Sequence, residues 1–301
     1  MSIEKLIVSS CIILSMCAVR ADTYTWVGGT GTWDANSGAK WRALSTGETG
    51  TVPGAGDNAV LPAPTDANYT VTASEAISVK SLTIGTAGST SGFVATFNSN
   101  TLGTHLVAED LVVETGGVMT HAANTTTSDT PAEETLFKLR LSVGGDATIA
   151  SGVVLDVSGK GYQGRCLGPG KGINNVTAAS HGGRGGPDGN KGVPTACYDS
   201  IECPSMLGSS SKTSGGGVVR LDITGSFSFD FAGTATYING AAAGATAEDS
   251  RALAGAGFIL PTAFVTFLTV FAIYLPPKSF NNLVYSSRYS FVFSGSTVSF
   301  L

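Results

Sequence analysis

The most chemically distinctive stretch of the chain is SHGGRGGPDGNKG, residues 180–192, in which six of thirteen residues are glycine. Glycine-rich loops can cradle phosphate, but a P-loop ends in Gly-Lys-Ser/Thr, and no such segment is present here. A dinucleotide-binding turn requires a strand before it and a helix after it, whereas HGGRGG runs into Pro-Asp-Gly. We therefore predict no cofactor, and the candidate binding residues of this irregular loop are His181, Arg184, Asp188 and Tyr198.

Carboxylates are the other groups with catalytic potential, because polysaccharide hydrolysis requires two of them at a defined separation. None of the aspartates beside β-type segments forms an Asp-Asp or Asp-x-Asp pair: Asp110, Asp146, Asp156, Asp222 and Asp230. All five aspartates are explained well as solvated residues on the protein surface. Asp156 and Asp222 are the pair expected to approach each other across adjacent repeats. Because of this pair, a polysaccharide lyase or glycoside hydrolase is the alternative function. We assign no catalytic residue.

Histidine and cysteine show no metal-binding spacing. Cys197 and Cys203 lie six positions apart and form a candidate disulfide in an oxidising compartment, while Cys166 is another candidate partner for either. A zinc site would need a fourth ligand, and only His181 is near in sequence. We therefore predict no metal site. The histidines are far apart and lack the H-E-x-x-H pattern: His105, His121 and His181.

The N-terminus has the features of a secretory signal peptide. Lys5 precedes an apolar run of about 14 residues, too short to span a bilayer, and small residues precede a cleavage point after Ala21. Removal of residues 1–21 leaves 15 basic and 21 acidic residues, a net charge of −6. This balance argues against a nucleic-acid partner, which requires a basic face. We predict a secreted or cell-surface protein.

Two internal repeats and the composition predict an all-β fold. Glycine makes up 40 of 301 residues, and β-branched residues between glycines are typical of strands and turns. DLVVETGGVMTH, starting at Asp110, matches DATIASGVVLDV, 36 residues later, and LRLSVGGDATI, starting at Leu139, matches VRLDITGSFSF, 80 residues later. Apolar residues alternate within the longer pair. We predict a right-handed parallel β-helix or solenoid, with a β-sandwich as the alternative.

The composition divides the mature chain into four parts. Residues 22–61 hold all three tryptophans among glycines, and we interpret them as a capping module, with stacking on sugar rings as the alternative. Residues 62–250 form the predicted β-helix domain, interrupted by a glycine-rich inserted loop at residues 160–217. Residues 251–301 form an apolar tail. We consider three origins for it: a membrane anchor running from Leu253 to Leu275, the terminal coils of the β domain, or an out-of-frame or truncated end.

Two of these segments resemble known secreted proteins. The N-terminal module is similar to the opening module of secreted bacterial β-helix proteins, including passenger regions of autotransporter-like adhesins, in Trp26, Gly28, Gly29, Gly31, Trp33, Trp41, Pro53, Gly54, Gly56 and Asp57. The loop resembles a loop-and-strand module of repeat-rich proteins of bacteria and some protists, in HGGRGG at 181–186, Tyr198, Ser200, Pro204, LGS at 207–209 and GGG at 215–217. Asp199 departs from that pattern, which has glycine there. The resemblance implies an architecture and an extracellular location without implying a reaction.

Together these features predict an exported cell-surface or extracellular protein with an adhesive or structural binding role. Polysaccharides or cell-surface glycans are the expected partners, because flat β faces rich in Thr, Ser and Asn offer many hydroxyl and amide groups. The expected working surface is the inserted loop together with one solvent-facing side of the repeats.

Overall fold

β-Strands account for nearly all regular structure in the computed structural model, which describes residues 21–129, 131–132, 135–151, 153–173, 177–186, 195–199, 205–230, 237–239, 290–294 and 297–300. The predicted signal peptide, Asp188, Cys203 and the segment from Leu253 to Leu275 lie outside these residues. A 3-10 helix spans Ser37–Lys40. Within the described ranges, no helix is long and apolar enough to cross a membrane.

The strands are short, as the spacing of glycines and turn residues predicts. In chain order they are Thr23–Trp26 (β1), Gly31–Trp33 (β2), Trp41–Ala43 (β3), Asn58–Leu61 (β4), Tyr69–Ala73 (β5), Ser78–Val79 (β6), Ser81–Ile84 (β7), Ala95–Ser99 (β8), His105–Val107 (β9), Leu111–Val113 (β10), Gly117–His121 (β11), Leu139–Val143 (β12), Ala147–Ile149 (β13), Val154–Asp156 (β14), Val219–Ile223 (β15), Ser226–Asp230 (β16), Tyr237–Asn239 (β17), Ser290–Ser294 (β18) and Thr297–Phe300 (β19).

The strands form three sheets, and consecutive parallel strands belong to the three sheets in turn. Sheet A contains β1, β4, β7, β10, β13 and β16, sheet B contains β2, β5, β8, β11, β14 and β17, and sheet C contains β6, β9, β12 and β15, all paired in parallel. Each strand therefore pairs with the third strand before and after it. Three antiparallel strands lie at the sheet edges, β3 beside β1, β18 beside β16 and β19 beside β15. The parallel pairing does not agree with the β-sandwich alternative, which requires antiparallel sheets.

The repeats predicted from the sequence are neighbouring strands in register. Val113 lies opposite Ile149, 36 residues on, and Leu141 lies opposite Leu221, 80 residues on. Both alignments are confirmed at the strand positions that pair, residues 111–113 and 118–119 in the first repeat and residues 139–143 and 147–149 in the second. The sequence offset between paired strands increases from 36 to 80 residues because the inserted loop lengthens one connection. The pairing of the strands beside the loop is unchanged.

Side-chain alternation places one apolar face of every sheet in a common core. Leu139, Leu141 and Val143 of β12 are fully buried, and the residues between them face outward. One continuous cluster of buried apolar side chains extends from Trp26 to Phe227 and includes residues of all three sheets. Burial of each valine, leucine, isoleucine, phenylalanine or methionine in this cluster stabilises the fold by roughly 1.5–3 kcal/mol. Stacking like residues over like residues keeps this core continuous from one strand to the next.

The three tryptophans close one end of this core. Trp41 makes edge-to-face contacts with Trp26 and Trp33, at ring-centroid distances of 5.1 and 4.6 Å, and Trp33 also packs edge-on against Phe97. All three indoles are buried, so they cannot stack on a sugar ring at the surface. The strand that carries Trp41 pairs antiparallel with β1 and covers the edge of sheet A.

Candidate functional site

The outward face of sheet B carries two rows of short side chains. Thr72, Asn98 and Thr120 follow one another along the first row, which begins at Thr32 and continues to Asp156. Asn98 Nδ2 donates to Thr72 Oγ1 at 3.3 Å, and Thr120 Oγ1 donates to the main-chain oxygen of Asp156 at 2.5 Å. The second row consists of Thr70, Thr96, Val118 and Val154.

This face is a regular array because parallel strands repeat at fixed distances. Neighbours along a row are about 4.8 Å apart, and the two rows are about 6.6 Å apart. Each hydroxyl both donates and accepts hydrogen bonds, and each amide offers two donors and an oxygen acceptor. On β2, β5, β8, β11 and β14, no outward side chain is larger than asparagine or aspartate. A flat ligand with many hydroxyl groups can therefore lie along the rows without steric obstruction.

Two long connections emerge beside this face at the same corner of the fold. Residues 122–138 join β11 to β12 and residues 157–218 join β14 to β15, so both run from sheet B to sheet C. They pack against each other through a second apolar cluster of Leu136, Tyr162, Leu207 and Val218, with Leu167 at its margin. Lys171 and Asp129 form an ion pair between the two connections. The described part of the inserted loop thus has a small core of its own.

Asn124 and His121 anchor the loop to the sheets. Asn124 Nδ2 donates to the main-chain oxygens of Phe137 and Lys160, each at 2.9 Å, and its Oδ1 accepts the Phe137 N–H at 2.7 Å. His121 Nε2 accepts the N–H of Val218 at 3.2 Å, where the loop returns to sheet C. Sequence reasoning missed both anchors. The alternation in GVMTH, which places His121 on the inward side of β11, is a signal that identifies one of them.

Glycines let the loop backbone pack against itself. Gly161 donates to Gly215, Gly208 donates to Gly216, and Tyr162 exchanges main-chain hydrogen bonds with Gly208 and Gly215. A methyl group on Gly161 or Gly215 would overlap a carbonyl oxygen across this contact. The glycine-rich composition therefore serves close main-chain pairing in this part of the loop.

The predicted binding residues His181 and Tyr198 meet inside the loop. Their ring centroids are 4.5 Å apart, and His181 Nε2 lies 3.2 Å from the Met206 oxygen and 3.5 Å from Asp199 Oδ2. Tyr198 Oη donates to the Leu207 oxygen at 2.6 Å and accepts the Ser209 N–H at 2.7 Å. Asp199 Oδ2 also accepts the Met206 N–H at 2.8 Å. These contacts give both rings a structural role, and their role in ligand binding stays a prediction.

Burial changes the protonation of this cluster. It lowers the pKa of His181, an effect that the Met206 carbonyl and Asp199 oppose, and it raises the pKa of Tyr198. Both rings are therefore neutral at pH 7. Arg184, the third predicted binding residue that the structure describes, is exposed in the same segment.

The candidate catalytic carboxylates do not come together. Asp156 lies on sheet B, where its Oδ1 accepts the Ser158 N–H at 2.9 Å, whereas Asp222 lies on sheet C beside Arg220. The expectation that these two approach across adjacent repeats is wrong, because consecutive strands belong to different sheets. Asp110 and Asp146 do follow one another on neighbouring strands of sheet A, but each accepts the main-chain N–H that starts the next strand, at 2.9 and 2.7 Å.

The predicted disulfide between Cys197 and Cys203 stays a prediction. Cys197 is exposed and Cys166 is half-buried, while Cys203 lies outside the described residues. Among the described side chains, no three His, Cys, Asp or Glu residues are grouped closely enough to hold a metal ion.

No protein-family model, curated protein or solved structure matches this chain. The similarity of the tryptophan-rich module and of the inserted loop to secreted β-helix proteins therefore stays a prediction from the sequence. Evidence about function comes from the geometry of the outward faces and of the loop.

Replacing Gly217 by alanine is expected to destabilise the protein by roughly 1–3 kcal/mol, the usual cost of overpacking a tight interior. The added methyl would overlap His121 Nε2 and lie 2.8 Å from Lys160 Cβ, which disrupts the bond to Val218. Urea denaturation and limited proteolysis measure the effect, with faster cleavage expected within residues 160–217.

Gly182→Ala is the matched control, since no atom lies within 4 Å of its added methyl in the same loop. Equal stability and equal protease resistance of the two variants would show that the contact of Gly217 with His121 does not hold the loop.

Proposed function

We propose that this chain is an exported right-handed parallel β-helix protein, located at a cell surface or outside the cell, with an adhesive or structural role in binding glycans. The observation that carries the proposal is the outward face of sheet B, with its rows of threonine, asparagine and valine beside the inserted loop. The predicted signal peptide supports the location.

The pairing pattern supports the β-helix architecture. Every parallel strand is joined to its pairing partner through strands of the other sheets, as in a solenoid that winds around one core. Connections between parallel strands of one sheet are right-handed in about 98% of cases, because of the twist of the strands. The tryptophan cluster at one end serves as the cap that such an architecture requires.

Glycan binding suits this surface for a chemical reason. A sugar chain presents hydroxyl groups at regular intervals, and short side chains on parallel strands present matching donors and acceptors at regular intervals. A single hydrogen bond of this kind contributes only about 0.5–1.5 kcal/mol, so affinity depends on many of them acting along the ligand. Thr70 and Thr96 make no side-chain hydrogen bond within the described structure, and their hydroxyls are free to bind a ligand.

The test is retention of the purified full chain on a panel of immobilised neutral polysaccharides, with mass spectrometry of the soluble fraction. The triple variant Thr70→Val, Thr72→Val and Thr96→Val removes three hydroxyls and keeps the side-chain shape. We expect its apparent Kd to rise at least about tenfold, because three hydrogen bonds are lost.

The matched control replaces Thr25, Thr83 and Thr148 by valine. These residues occupy an outward row of sheet A, and retention of this variant should equal that of the parent chain. Equal retention of the sheet B variant would overturn the proposed surface. Release of new oligosaccharides would overturn the adhesive role in favour of the enzyme alternative.

A further inference from the structure

The chain contains three Asn-x-Ser/Thr tripeptides, the sequence at which oligosaccharides are attached to asparagine in secreted proteins. They begin at Asn68, Asn124 and Asn175, and none has proline in the middle position. Asn175 lies outside the described residues. The other two asparagines occupy opposite environments, one on the surface and one in the interior of the protein.

Asn68 lies at the end of an exposed segment that leads into sheet B. Residues 65–68 are all exposed, and β5 begins at the next residue. Asn68 Oδ1 accepts the Val94 N–H at 2.9 Å, which orients the side-chain amide. Asn68 Nδ2 makes no hydrogen bond to any residue that the structure describes. Because the oxygen is turned toward Val94, the nitrogen is the part of the amide that is left for solvent.

The two residues that define this tripeptide are accessible together. Tyr69, between them, is buried, and its Oη donates to the Pro62 oxygen at 2.7 Å. Thr70 lies on the outward side of β5 and is partly exposed. The anchored tyrosine therefore leaves the Asn68 amide and the Thr70 hydroxyl at the surface, beside the second row of sheet B.

Asn124 shows the opposite arrangement. It is 3% exposed, and its Nδ2 donates to the main-chain oxygens of Phe137 and Lys160. A sugar on Nδ2 would replace one of the two hydrogens and would need the space that the packed connections occupy. Glycosylation of Asn124 is therefore incompatible with the anchored loop, whereas glycosylation of Asn68 keeps the hydrogen bond between its oxygen and Val94.

We propose that Asn68 is a site of N-linked glycosylation and that Asn124 of the folded protein is not. The sugar donor is an oligosaccharide carried on a lipid diphosphate. Asn68 Nδ2 attacks C1 of that sugar, so a carbon–nitrogen bond forms, the bond from C1 to the diphosphate oxygen breaks, and Nδ2 loses one proton. The inference rests on the export that is part of the proposed function, because this modification belongs to secreted proteins. It concerns a glycan carried by the chain and not a glycan bound by sheet B.

Peptide mapping by mass spectrometry of the full chain secreted from a eukaryotic host tests this inference, with and without peptide-N-glycosidase treatment. We expect a glycan at Asn68 in most secreted molecules and none at Asn124, while the peptide that holds Asn175 is read separately. Asn68→Asp keeps an oxygen for the Val94 N–H but cannot be glycosylated, so the glycan should be lost completely. Thr70→Ser keeps the attachment sequence, so its glycan should remain.

An unmodified Asn68 in the secreted chain, or a folded secreted chain with a glycan at Asn124, would overturn the inference. A chain that stays inside the cell would count against the predicted export instead. The same chain with the host's own signal peptide in place of residues 1–21 then tests Asn68 independently. Thr70→Val also destroys the attachment sequence, so the retention test of sheet B uses protein from a bacterial host without N-glycosylation.

Discussion

Replacing Trp41 by alanine is expected to lower the free energy of unfolding by about 3–5 kcal/mol, the range seen when a fully buried aromatic side chain is removed. Trp41 has no exposed surface and lies between Trp26 and Trp33. Its loss leaves a cavity at the end of the core and removes two edge-to-face contacts. The substitution also weakens the packing of β3, the strand that pairs with β1 and covers the edge of sheet A.

Urea denaturation followed by far-ultraviolet circular dichroism measures this effect without relying on tryptophan fluorescence. Leu44→Ala is the matched control, because Leu44 directly follows the same strand and is 75% exposed. That substitution should change the free energy of unfolding by less than about 0.5 kcal/mol. If Trp41→Ala were no more destabilising than Leu44→Ala, the tryptophan cluster would not act as a cap.

Acidification from pH 7 to pH 4 is expected to remove several kcal/mol of stability through two buried histidines. His105 Nδ1 accepts the Ile77 N–H at 3.2 Å, so its Nε2 carries the proton that is donated to Ser99 Oγ at 2.8 Å. His121 has the opposite tautomer, since Nδ1 donates to the Ala122 oxygen and Nε2 accepts from Val218. In either ring, a second proton would point at an N–H group and break a hydrogen bond.

Burial lowers the pKa of both rings to about 4, from an ordinary value of 6.5. At His121 the Ala122 carbonyl opposes this shift, while the positive charges of Lys160, Lys138 and Arg140 add to it. Above pH 6.5 both rings are neutral in the folded and the unfolded chain, and their contribution to stability is fully present. Between pH 6.5 and 4 only the unfolded chain binds the protons, so stability falls by about 3 kcal/mol for each ring.

Urea midpoints at pH 7, 6, 5 and 4, read by tryptophan fluorescence, measure this loss. Glutamine in place of His105 or His121 keeps one donor and one acceptor but does not titrate. Each glutamine variant should therefore lose about 3 kcal/mol less than the parent chain between pH 7 and pH 4. Parallel stability curves for parent and variants would show that the two rings are not held neutral by the fold.

The inward and outward alternation of side chains could be predicted from the sequence, as could the alignment of the strands. Leu139, Leu141 and Val143 match the apolar residues 80 positions later, because both segments alternate apolar and polar residues in the same phase. The structure pairs them in that register. This succeeds because side chains in a strand alternate with period two, and parallel strands stacked in register place like residues over like.

The interior of the inserted loop could not be predicted, although its extent could. Composition identifies residues 160–217 as an interruption between two strands, but its anchors join residues far apart in sequence. Val218 bonds to His121 across 97 positions, and Lys160 bonds to Asn124 across 36 positions. No local pattern encodes such pairs, because they depend on two connections that leave the sheets at the same corner.

The sequence by itself determined an all-β chain, the register of its repeats, the place of its inserted loop and the excess of acidic residues over basic ones. Only the tertiary structure decided which residues share a face. The hydroxyl rows of sheet B and the separation of Asp156 from Asp222 both follow from it. The physical reason is that the alternation of side chains within a strand depends only on residues adjacent in sequence. Which residues share a surface depends on how consecutive strands are distributed among the three sheets.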